Sequence, residues 1–409
     1  MSNSTVQTTS ESVPEFPMSR DPRCPFDPPP ELRELARSAP LQRVRIWDGS
    51  TPWIVTGLAE QRALLSDERV SVNDKLPGFP HWHAGMAAHS ATRPRSFFNS
   101  DPPEHTRIRR VMTGHFQFKR IAALRPAIQK ITEVLVDEMV AGPAPADLVQ
   151  ALGLPLPTLM ICELLGVPYS DRDFFQKHSR VRRNATAEEQ IKNSRAVFDY
   201  MIHAIEARRD NPTDDVIGDL ATRVVDAEVS LAEAAQVAQG LLIAGHETSA
   251  NMIGLGTLAL LENPDQAEVF RAGTDPKAVA NGVEELLRYL SVIHNGQRRI
   301  AKEDIEIGGV TVRAGEGLII ELASANWDER AFPAPEQLDL GRAGVSRHHA
   351  FGFGIHQCVG QQLARAELQI VFSTLFQRVP TLRLATTVDQ IEFKHDRLAY
   401  GVYALPVAW

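Results

Sequence analysis

The chain has 409 residues, of which 43% are hydrophobic and 23% are charged, a composition typical of globular proteins. This length fits one large domain or two fused lobes, and the net charge of −8 argues against nucleic acid as a partner. The three cysteines, Cys24, Cys162 and Cys358, form neither a closely spaced metal-binding pair nor an even disulfide set. We therefore predict a protein of the reducing cytoplasm.

The N-terminus is predicted to be a disordered arm. Residues 1–12 are polar, poor in bulky apolar side chains, and without the charged and apolar regions of a signal peptide. We expect residues 1–24 to form this arm and residues 25–409 to form a single domain.

The middle of the chain is predominantly helical in its patterning. Before it, strand-like runs at 42–47 and 52–56 flank a turn, a short helix is predicted at 58–66, and residues 70–100 show no sustained periodicity. Helical patterning then extends from 102 to 376. It is interrupted by strand-like runs at 305–313 and 317–322 and by an irregular region at 325–357, and the C-terminus is strand-like at 400–406. The sequence predicts a mainly α protein with a large helical lobe and a small β-rich lobe.

One long apolar helix carries a single charge. Ser230 and Glu233 form a capping box, and the helix should end at Asn263-Pro264. Between Glu233 and Glu262 the only charged residue is Glu247. The polar residues in this stretch favour a buried helix over a membrane span. Glu247 either faces solvent or serves, with Thr248, as a proton relay beside a ligand cavity.

A glycine-rich loop surrounds the third cysteine. Residues 351–360 read Phe-Gly-Phe-Gly-Ile-His-Gln-Cys-Val-Gly, directly before a predicted helix. Glycines allow close approach to a flat ligand, and helix N-terminal amides should lower the pKa of the Cys358 thiol and favour a metal-binding thiolate. The alternative is a buried, unreactive cysteine.

This loop resembles the haem-binding loop of the cytochrome P-450 monooxygenases. The resemblance implies that Cys358 is the axial thiolate of haem b and that His356 binds a haem propionate. It also places Phe351, Gly352 and Gly360 in the cofactor-binding loop. A proximal thiolate pushes electron density onto haem iron and favours cleavage of the O–O bond.

Further motifs occur in the order of that family. Residues 244–248, Ala-Gly-His-Glu-Thr, match its oxygen-binding pattern, which puts Ala244 against the haem and makes Glu247 and Thr248 the catalytic acid–alcohol pair. His105 and Arg109 lie one helical turn apart and could be a solvated basic face. By the resemblance they are propionate contacts, with Arg299 as a third.

Glu285 and Arg288 have the spacing of an ordinary surface ion pair. The resemblance instead joins them to Arg342 in a structural triad that supports the cysteine loop. Trp327 stands where related chains usually carry arginine, and this departure leaves the haem motifs intact.

The resemblance implies the triangular, mainly α cytochrome P-450 fold of the soluble, actinobacterial type. The implied reaction hydroxylates a C–H bond with O2, and the electrons come from a separate ferredoxin and ferredoxin reductase. We hypothesise that an acidic ferredoxin docks near Arg107, Arg110, Lys119 and Arg120. The protein is expected to be monomeric and to bind neither nucleic acid nor membrane.

The substrate is expected to be a medium or large hydrophobic molecule. By position in the family, its pocket would include segments of 75–98 and 171–195 together with Val237, Leu241, Ala244, Val292, Ile293, Asn295, Leu398 and Ala399. Each of these side chains could equally be ordinary core. Two other functions remain open: a peroxygenase driven by hydrogen peroxide, against which the Glu247–Thr248 pair argues, and a non-catalytic haem protein.

Overall fold

The computed structural model describes residues 13–92, 96–179 and 187–409. The α-helices in these ranges are α1 (Pro30–Ser38), α2 (Leu58–Leu65), α3 (Ala84–Thr92), α4 (Glu104–Thr113), α5 (Phe118–Ala141), α6 (Pro155–Leu165), α7 (Arg172–Ser179), α8 (Ala187–Glu206), α9 (Val216–Val225), α10 (Leu231–Glu262), α11 (Pro264–Ala272), α12 (Pro276–Leu290), α13 (Leu322–Asn326) and α14 (Gln361–Arg378). The strands are β1 (Leu41–Arg43), β2 (Trp53–Val55), β3 (Val70–Ser71), β4 (Ala146–Asp147), β5 (Gln297–Ala301), β6 (Ile305–Ile307), β7 (Val310–Val312), β8 (Gly317–Ile320), β9 (Arg383–Leu384) and β10 (Pro406–Ala408).

Most strands of the β-rich lobe form one five-stranded sheet of order β1-β2-β8-β5-β3. Strand β8 is buried along its whole length, and its alternate residues enter different hydrophobic clusters. Leu318 and Ile320 pack on one face, and Ile319 packs on the other. This period of two is the geometry of a strand covered on both faces. Strand β2 pairs parallel to β8 and follows the same alternation.

Helix α10 runs through the main hydrophobic core, as its apolar sequence predicts. Its predicted capping box is present, because the Ser230 hydroxyl accepts from the Glu233 amide at 3.2 Å and the Glu233 carboxylate accepts from the Ser230 amide at 2.8 Å. Asn263 follows the last turn, where Pro264 starts the next helix. Helix α10 packs directly against α14, the helix that follows the cysteine loop.

The predicted disordered arm is too long at its C-terminal end. Phe16 is 5% exposed and packs under the main sheet, and Arg20 is 6% exposed. The Phe16 amide also donates to the carbonyl of Arg45 at 2.8 Å. Residues 13–24 are therefore ordered by contacts with distant parts of the chain, while residues 1–12 lie outside the described residues.

Several boundaries predicted from the sequence need correction. Residues 84–92 form helix α3 inside the segment predicted to be irregular, because a helix rich in Ala and Gly shows no clear apolar period. The N-terminal strands are three residues each, shorter than predicted. Strand β5 was missed because its run Gln-Arg-Arg-Ile-Ala alternates poorly, and the C-terminal strand begins at Pro406, later than predicted.

Candidate active site

The cysteine loop is closed by backbone hydrogen bonds and shaped by two glycines. The Cys358 amide donates to the carbonyl of Phe351 at 2.9 Å, which folds the loop back on itself. Gly352 and Gly354 both adopt left-handed backbone conformations, with φ of 70° and 72°. A side chain on Gly354 would lie 2.1 Å from the carbonyl oxygen of Leu65, so only glycine fits there.

Opposing effects act on the pKa of the Cys358 thiol. The residue has exposed surface, yet protein atoms crowd the sulfur, and this burial raises the pKa of the free thiol. The Gly360 amide and the Arg109 guanidinium act in the opposite direction without outweighing burial. The helix-terminal amides therefore act on the free thiol in the predicted direction, but burial is the larger effect and the pKa is raised overall.

A cluster of cationic and donor groups lies beside this loop. The rings of His105 on α4 and His356 in the loop are 4.1 Å apart between centroids. Arg109, one turn along α4, donates to the Gln357 carbonyl at 2.5 Å, and Arg299 on β5 donates to Gln297 at 3.1 Å. The structure thus brings all four predicted propionate contacts to one place.

The electrostatics of this cluster favour an anion. Burial, then Arg299 and the other cations, lowers the pKa of His356 to about 3, and burial lowers that of Arg299 to about 10. Burial and Arg109 also lower the pKa of His105. The Nε2 atoms of both histidines are buried without a hydrogen-bond partner. Buried donors without acceptors are rare, so the cluster fits a ligand that supplies carboxylate or phosphate oxygens.

Helix α10 opens to free space halfway along its length. Most of the helix is buried, but Ile243 is 48% exposed and Ala244 is exposed beside it. Glu247 and Thr248 follow in the next turn and are half-buried. The Thr248 hydroxyl donates to the Ala244 carbonyl at 2.8 Å. Its oxygen can still accept a hydrogen bond from a group in the opening.

A residue missed in the sequence joins this turn to the cysteine loop. Glu367 on α14 is 2% exposed and hydrogen-bonds to Ser249, the neighbour of Thr248. Burial raises the pKa of Glu367 to about 8. The sequence signal that could have revealed Glu367 is a charged residue among the apolar residues of a helix, nine positions after Cys358.

The predicted substrate-binding segments also meet. Ile293 forms a β-bridge with Ala399, and the Tyr400 amide donates to the Val292 carbonyl at 2.7 Å. Leu398 is 53% exposed. Other predicted pocket residues do not face open space to the same degree.

Asn295 is half-buried and lies against His294 at 3.4 Å. Val237, Leu241 and Ala399 are buried, the first two in the main core. Parts of the predicted segments 75–98 and 171–195 lie outside the described residues.

The predicted triad forms one buried ion-pair cluster. Arg288 donates to both carboxylate oxygens of Glu285 at 2.8 Å, and Arg342 donates to the same carboxylate at 3.0 and 3.1 Å. Glu285 and Arg288 are fully buried. Such a pair is not a surface ion pair, and loss of one member would leave a buried charge uncompensated. Trp327 stacks on Tyr289 nearby, with centroids 5.5 Å apart.

Comparison with known proteins identifies the family. The sequence model described as "Cytochrome P450" matches residues 277–392. Cytochrome P450 CYP105Q4 from Mycobacterium marinum is 60% identical, over 98% of this chain and 97% of its own length. The chain belongs to the cytochrome P450 family.

Solved structures agree over nearly the whole chain. The crystal structure of the P450 GfsF, a protein of Streptomyces halstedii, is 53% identical with a TM-score of 0.94, covering 97% of this chain and 100% of its own. The mycinamicin VIII C21 methyl hydroxylase MycCI from Micromonospora griseorubida, solved with mycinamicin VIII bound, is 37% identical with a TM-score of 0.89 over 97% and 100% of the two chains. These similarities confirm the predicted P450 fold, the monooxygenase class and haem as the cofactor.

The residues present fit a haem. Its two propionates would satisfy the unpartnered nitrogens of His105 and His356 and the charges of Arg109 and Arg299. Cys358 would provide the soft thiolate donor that haem iron accepts in this family. At Gly360 a side chain would lie 3.9 Å from the Cys358 sulfur, an ordinary van der Waals contact, so the space there does not itself require glycine.

A second buried charge cluster was missed because its members are far apart in sequence. Arg20, Arg298 and Glu321 are each at most 6% exposed. Burial lowers the pKa of Arg298 to about 9 and raises that of Glu321 to about 8, and each moderates the shift of the other. Arg298 lies on the face of β5 opposite Arg299, against Trp82 at 4.0 Å.

Within residues 13–92, 96–179 and 187–409, none of the helices combines the length and the apolar character that crossing a membrane requires.

Proposed function

We propose that this P450 hydroxylates a medium or large hydrophobic small molecule, using O2 and electrons from a separate ferredoxin and its reductase. The observation that carries the proposal is the opening at Ile243 and Ala244 in an otherwise buried helix, with Glu247 and Thr248 in its next turn. An acid and an alcohol at the edge of an internal space suit proton delivery to oxygen bound there.

The cofactor-binding residues would hold the haem in place before any reaction step. His105, Arg109, His356 and Arg299 would hold the propionates, and Cys358 would be the axial ligand. When bound, the haem supplies the activation of O2 and the insertion of one oxygen atom into a C–H bond. The triad of Glu285, Arg288 and Arg342 fixes the backbone that leads into the cysteine loop, because Arg288 also donates to the Asn326 carbonyl at 3.0 Å and Asn326 accepts from the His349 amide at 2.6 Å.

The two relay residues are adjacent in the turn that follows the opening. The Thr248 hydroxyl donates to the Ala244 carbonyl, so its oxygen is oriented to accept a hydrogen bond from a group in the opening. Glu247 is half-buried and can exchange protons with the outside. The same pair argues against the peroxide-driven alternative, which needs no proton relay to activate O2.

The substrate class rests on the walls of the opening and on relatives. Ile243, Leu398 and Phe98 expose between 48% and 53% of their surface, so apolar side chains are available to a ligand. MycCI is a methyl hydroxylase solved with mycinamicin VIII. From the exposed apolar side chains we infer a largely apolar substrate, and we also infer a role in secondary metabolism.

The surface available to an electron donor contains fewer unpaired cations than the four predicted from the sequence. Arg107 is already paired with Glu233, and Arg120 with Asp214 at 2.9 Å. Arg110 and Lys119 are exposed, and neither forms an ion pair with a residue in the ranges 13–92, 96–179 and 187–409. Phe118, 77% exposed, lies between them in sequence. We propose that these three side chains receive an acidic ferredoxin.

Charge reversal tests that surface. Arg110→Glu with Lys119→Glu should slow the reduction of the haem by a plant-type ferredoxin by about tenfold at low salt. Binding of mycinamicin VIII, used as a probe and followed by its spin shift, should not differ between the double variant and the wild type. Arg107→Glu is the matched control. Equal reduction rates in the double variant and the wild type would contradict the docking proposal.

The function itself is tested by comparing two oxidant systems. Purified protein is supplied either with NADPH, ferredoxin and reductase or with hydrogen peroxide alone, and mycinamicin VIII and smaller apolar probes are screened for hydroxylated products. Product formation only with the ferredoxin system supports the proposal. Equal or faster formation with peroxide alone would favour the peroxygenase, and a protein that consumes no oxygen with either system would favour a non-catalytic haem protein.

We also propose that the protein is located in the cytoplasm. The three cysteines are all unpaired in the structure, which supports a reducing compartment such as the cytoplasm.

A further inference from the structure

A lysine far along the chain is buried against helix α10. Lys394 is 8% exposed, and its Nζ atom donates to the side-chain oxygen of Asn251 at 2.7 Å. The Lys394 backbone amide also donates to the Gly401 carbonyl at 2.8 Å. Lysine is rarely buried unless its charge is compensated. A neutral amide oxygen alone does not compensate an ammonium group, so a nearby anion is required.

Asn251 is itself held in one position. Its side-chain nitrogen donates to the Ala399 carbonyl at 3.2 Å while its oxygen accepts from Lys394. A side chain on Gly401 would lie 2.2 Å from that oxygen, so glycine is needed for Asn251 to fit. Asn251 lies four residues after Glu247, one turn along the same helix face. Lys394 therefore approaches α10 on the side that carries Glu247.

Glu247 is the anion that the geometry places on the lysine's side of α10, one turn from Asn251, the hydrogen-bond partner of Lys394. Burial lowers the pKa of Lys394, and the Glu247 carboxylate opposes that effect more strongly than any other group. On the lysine's own segment, Arg397 lowers the pKa and Asp396 raises it. The Tyr403 ring lies 5.8 Å from the ammonium. Glu247 is also the single charge on α10 between Glu233 and Glu262.

We propose that Lys394 is a positioning residue of the proton relay. Its ammonium group, fixed by Asn251, holds the Glu247 carboxylate in the orientation from which protons reach Thr248. This inference rests on the proposed function of Glu247 and Thr248. Oxygen that is consumed without hydroxylation also requires protons from the relay. Its reduction to water takes four electrons and four protons, and its reduction to hydrogen peroxide takes two of each. The electrons come from NADPH through the ferredoxin, and every proton enters from solvent.

A double-mutant cycle tests the contact without using activity. Thermal unfolding of the haem-loaded protein is measured for Lys394→Met, Glu247→Gln and their combination. We expect Lys394→Met to lower the melting temperature by several degrees in the wild type and by less than half as much in the Glu247→Gln background. Additive effects would overturn the proposal. Lys277→Met, the same change at an exposed lysine of α12, should leave the melting temperature unchanged.

If Lys394→Met does not fold, Asn251→Asp provides the same test. The aspartate has the shape of asparagine and would draw the ammonium away from Glu247 while keeping it paired, although it loses the hydrogen bond that Asn251 donates to the Ala399 carbonyl. We expect this variant to fold with a melting temperature no higher than that of the wild type and to show the relay defect described next. Wild-type relay behaviour in a stable Asn251→Asp protein would contradict the proposal.

The relay is read out by the solvent isotope effect on oxygen consumption with NADPH, ferredoxin and reductase. We expect Lys394→Met to consume oxygen about tenfold more slowly and to show a larger ratio of rates in H2O and D2O. Lys394→Arg, which keeps the charge, should restore most of the rate, and Lys277→Met should match the wild type. An unchanged isotope effect in Lys394→Met would overturn the proposal. If the wild type itself consumes no oxygen, the proposed function fails, whereas the double-mutant cycle still decides whether Lys394 and Glu247 interact.

Discussion

Buried polar atoms usually have hydrogen-bond partners, which makes the Nε2 atoms of His105 and His356 informative. Both rings lie at the site where Arg109 and Arg299 converge, and burial lowers the pKa of each of these four groups. Four lowered pKa values in one cluster indicate that its cationic groups need a compensating anion. Two haem propionates would provide the missing negative charge.

Removal of one cation from this cluster should weaken haem retention. A hydrogen bond to a charged group contributes about 1.5–3 kcal/mol, so Arg109→Leu should speed haem transfer to apomyoglobin by roughly 10- to 100-fold. Arg107→Leu is the matched control, since Arg107 lies on the same helix and pairs with Glu233. Equal transfer rates in the two variants would show that Arg109 does not hold the cofactor.

At the scale of elements, the contact of α10 with α14 sets the spacing between the helix that carries Glu247 and Thr248 and the helix that follows the cysteine loop. Gly256 is buried in α10, and a side chain there would lie 2.4 Å from the Phe372 ring of α14. The two helices are therefore as close as a glycine allows. Ser249 and Glu367 join the same pair of helices nearer the active site.

A methyl group at this contact should push the helices apart. Gly256→Ala gains about 1 kcal/mol of helix propensity but forces Phe372 to move in a packed core, so we expect a net loss of about 1–3 kcal/mol in the free energy of unfolding. Gly114→Ala is the control, because a side chain on Gly114 meets no atom within 4 Å. Urea unfolding measures both, and equal stability of the two variants would contradict the close contact.

At the scale of the whole molecule, Glu284 connects three distant parts of the chain. This residue of α12 accepts from His348 at 3.0 Å and from Arg365 of α14 at 2.6 Å. Burial alone would raise the pKa of Glu284, but these hydrogen bonds outweigh it and lower the pKa to about 2 from an ordinary 4.5. Arg365 also stacks on Phe351 of the cysteine loop at 4.6 Å.

The stability that Glu284 contributes should depend on pH. Because its folded pKa is lowered, the carboxylate stabilises the fold fully above about pH 4.5, and the contribution falls as the pH drops towards 2. Glu284→Gln should therefore cost up to about 3 kcal/mol at pH 7, and the difference from wild type should shrink below pH 4.5. Denaturant unfolding across pH measures this. Glu262→Gln, at an exposed glutamate, should show no such trend, and a constant difference at all pH values would rule out the charge effect.

Much of the site could be predicted because its motifs are short in sequence. The cysteine loop, the Ala244–Thr248 turn and the Glu285–Arg288 pair each depend on local spacing, and the structure brings Arg342 to the last of these. Helix α10 was predictable because its cap and its apolar run are local features.

The remaining features depend on contacts between distant segments. Lys394 and Asn251 are 143 positions apart, and neither has a local pattern that shows the other. Phe16 packs on distant parts of the chain, and Arg20 lies against the Tyr400 ring, which is why the arm was predicted too long. The pKa of Cys358 was misjudged because burial depends on the tertiary fold, whereas the helix terminus is visible in the sequence.

The central claim is that Cys358 binds haem iron through its sulfur, and the reduced, carbon monoxide-bound difference spectrum of the purified protein tests it most directly. Thiolate ligation predicts a Soret band at about 450 nm in the wild type and its loss in Cys358→Ser. A band at about 420 nm from freshly purified wild type, or a band at about 450 nm that persists in Cys358→Ser, would contradict the account.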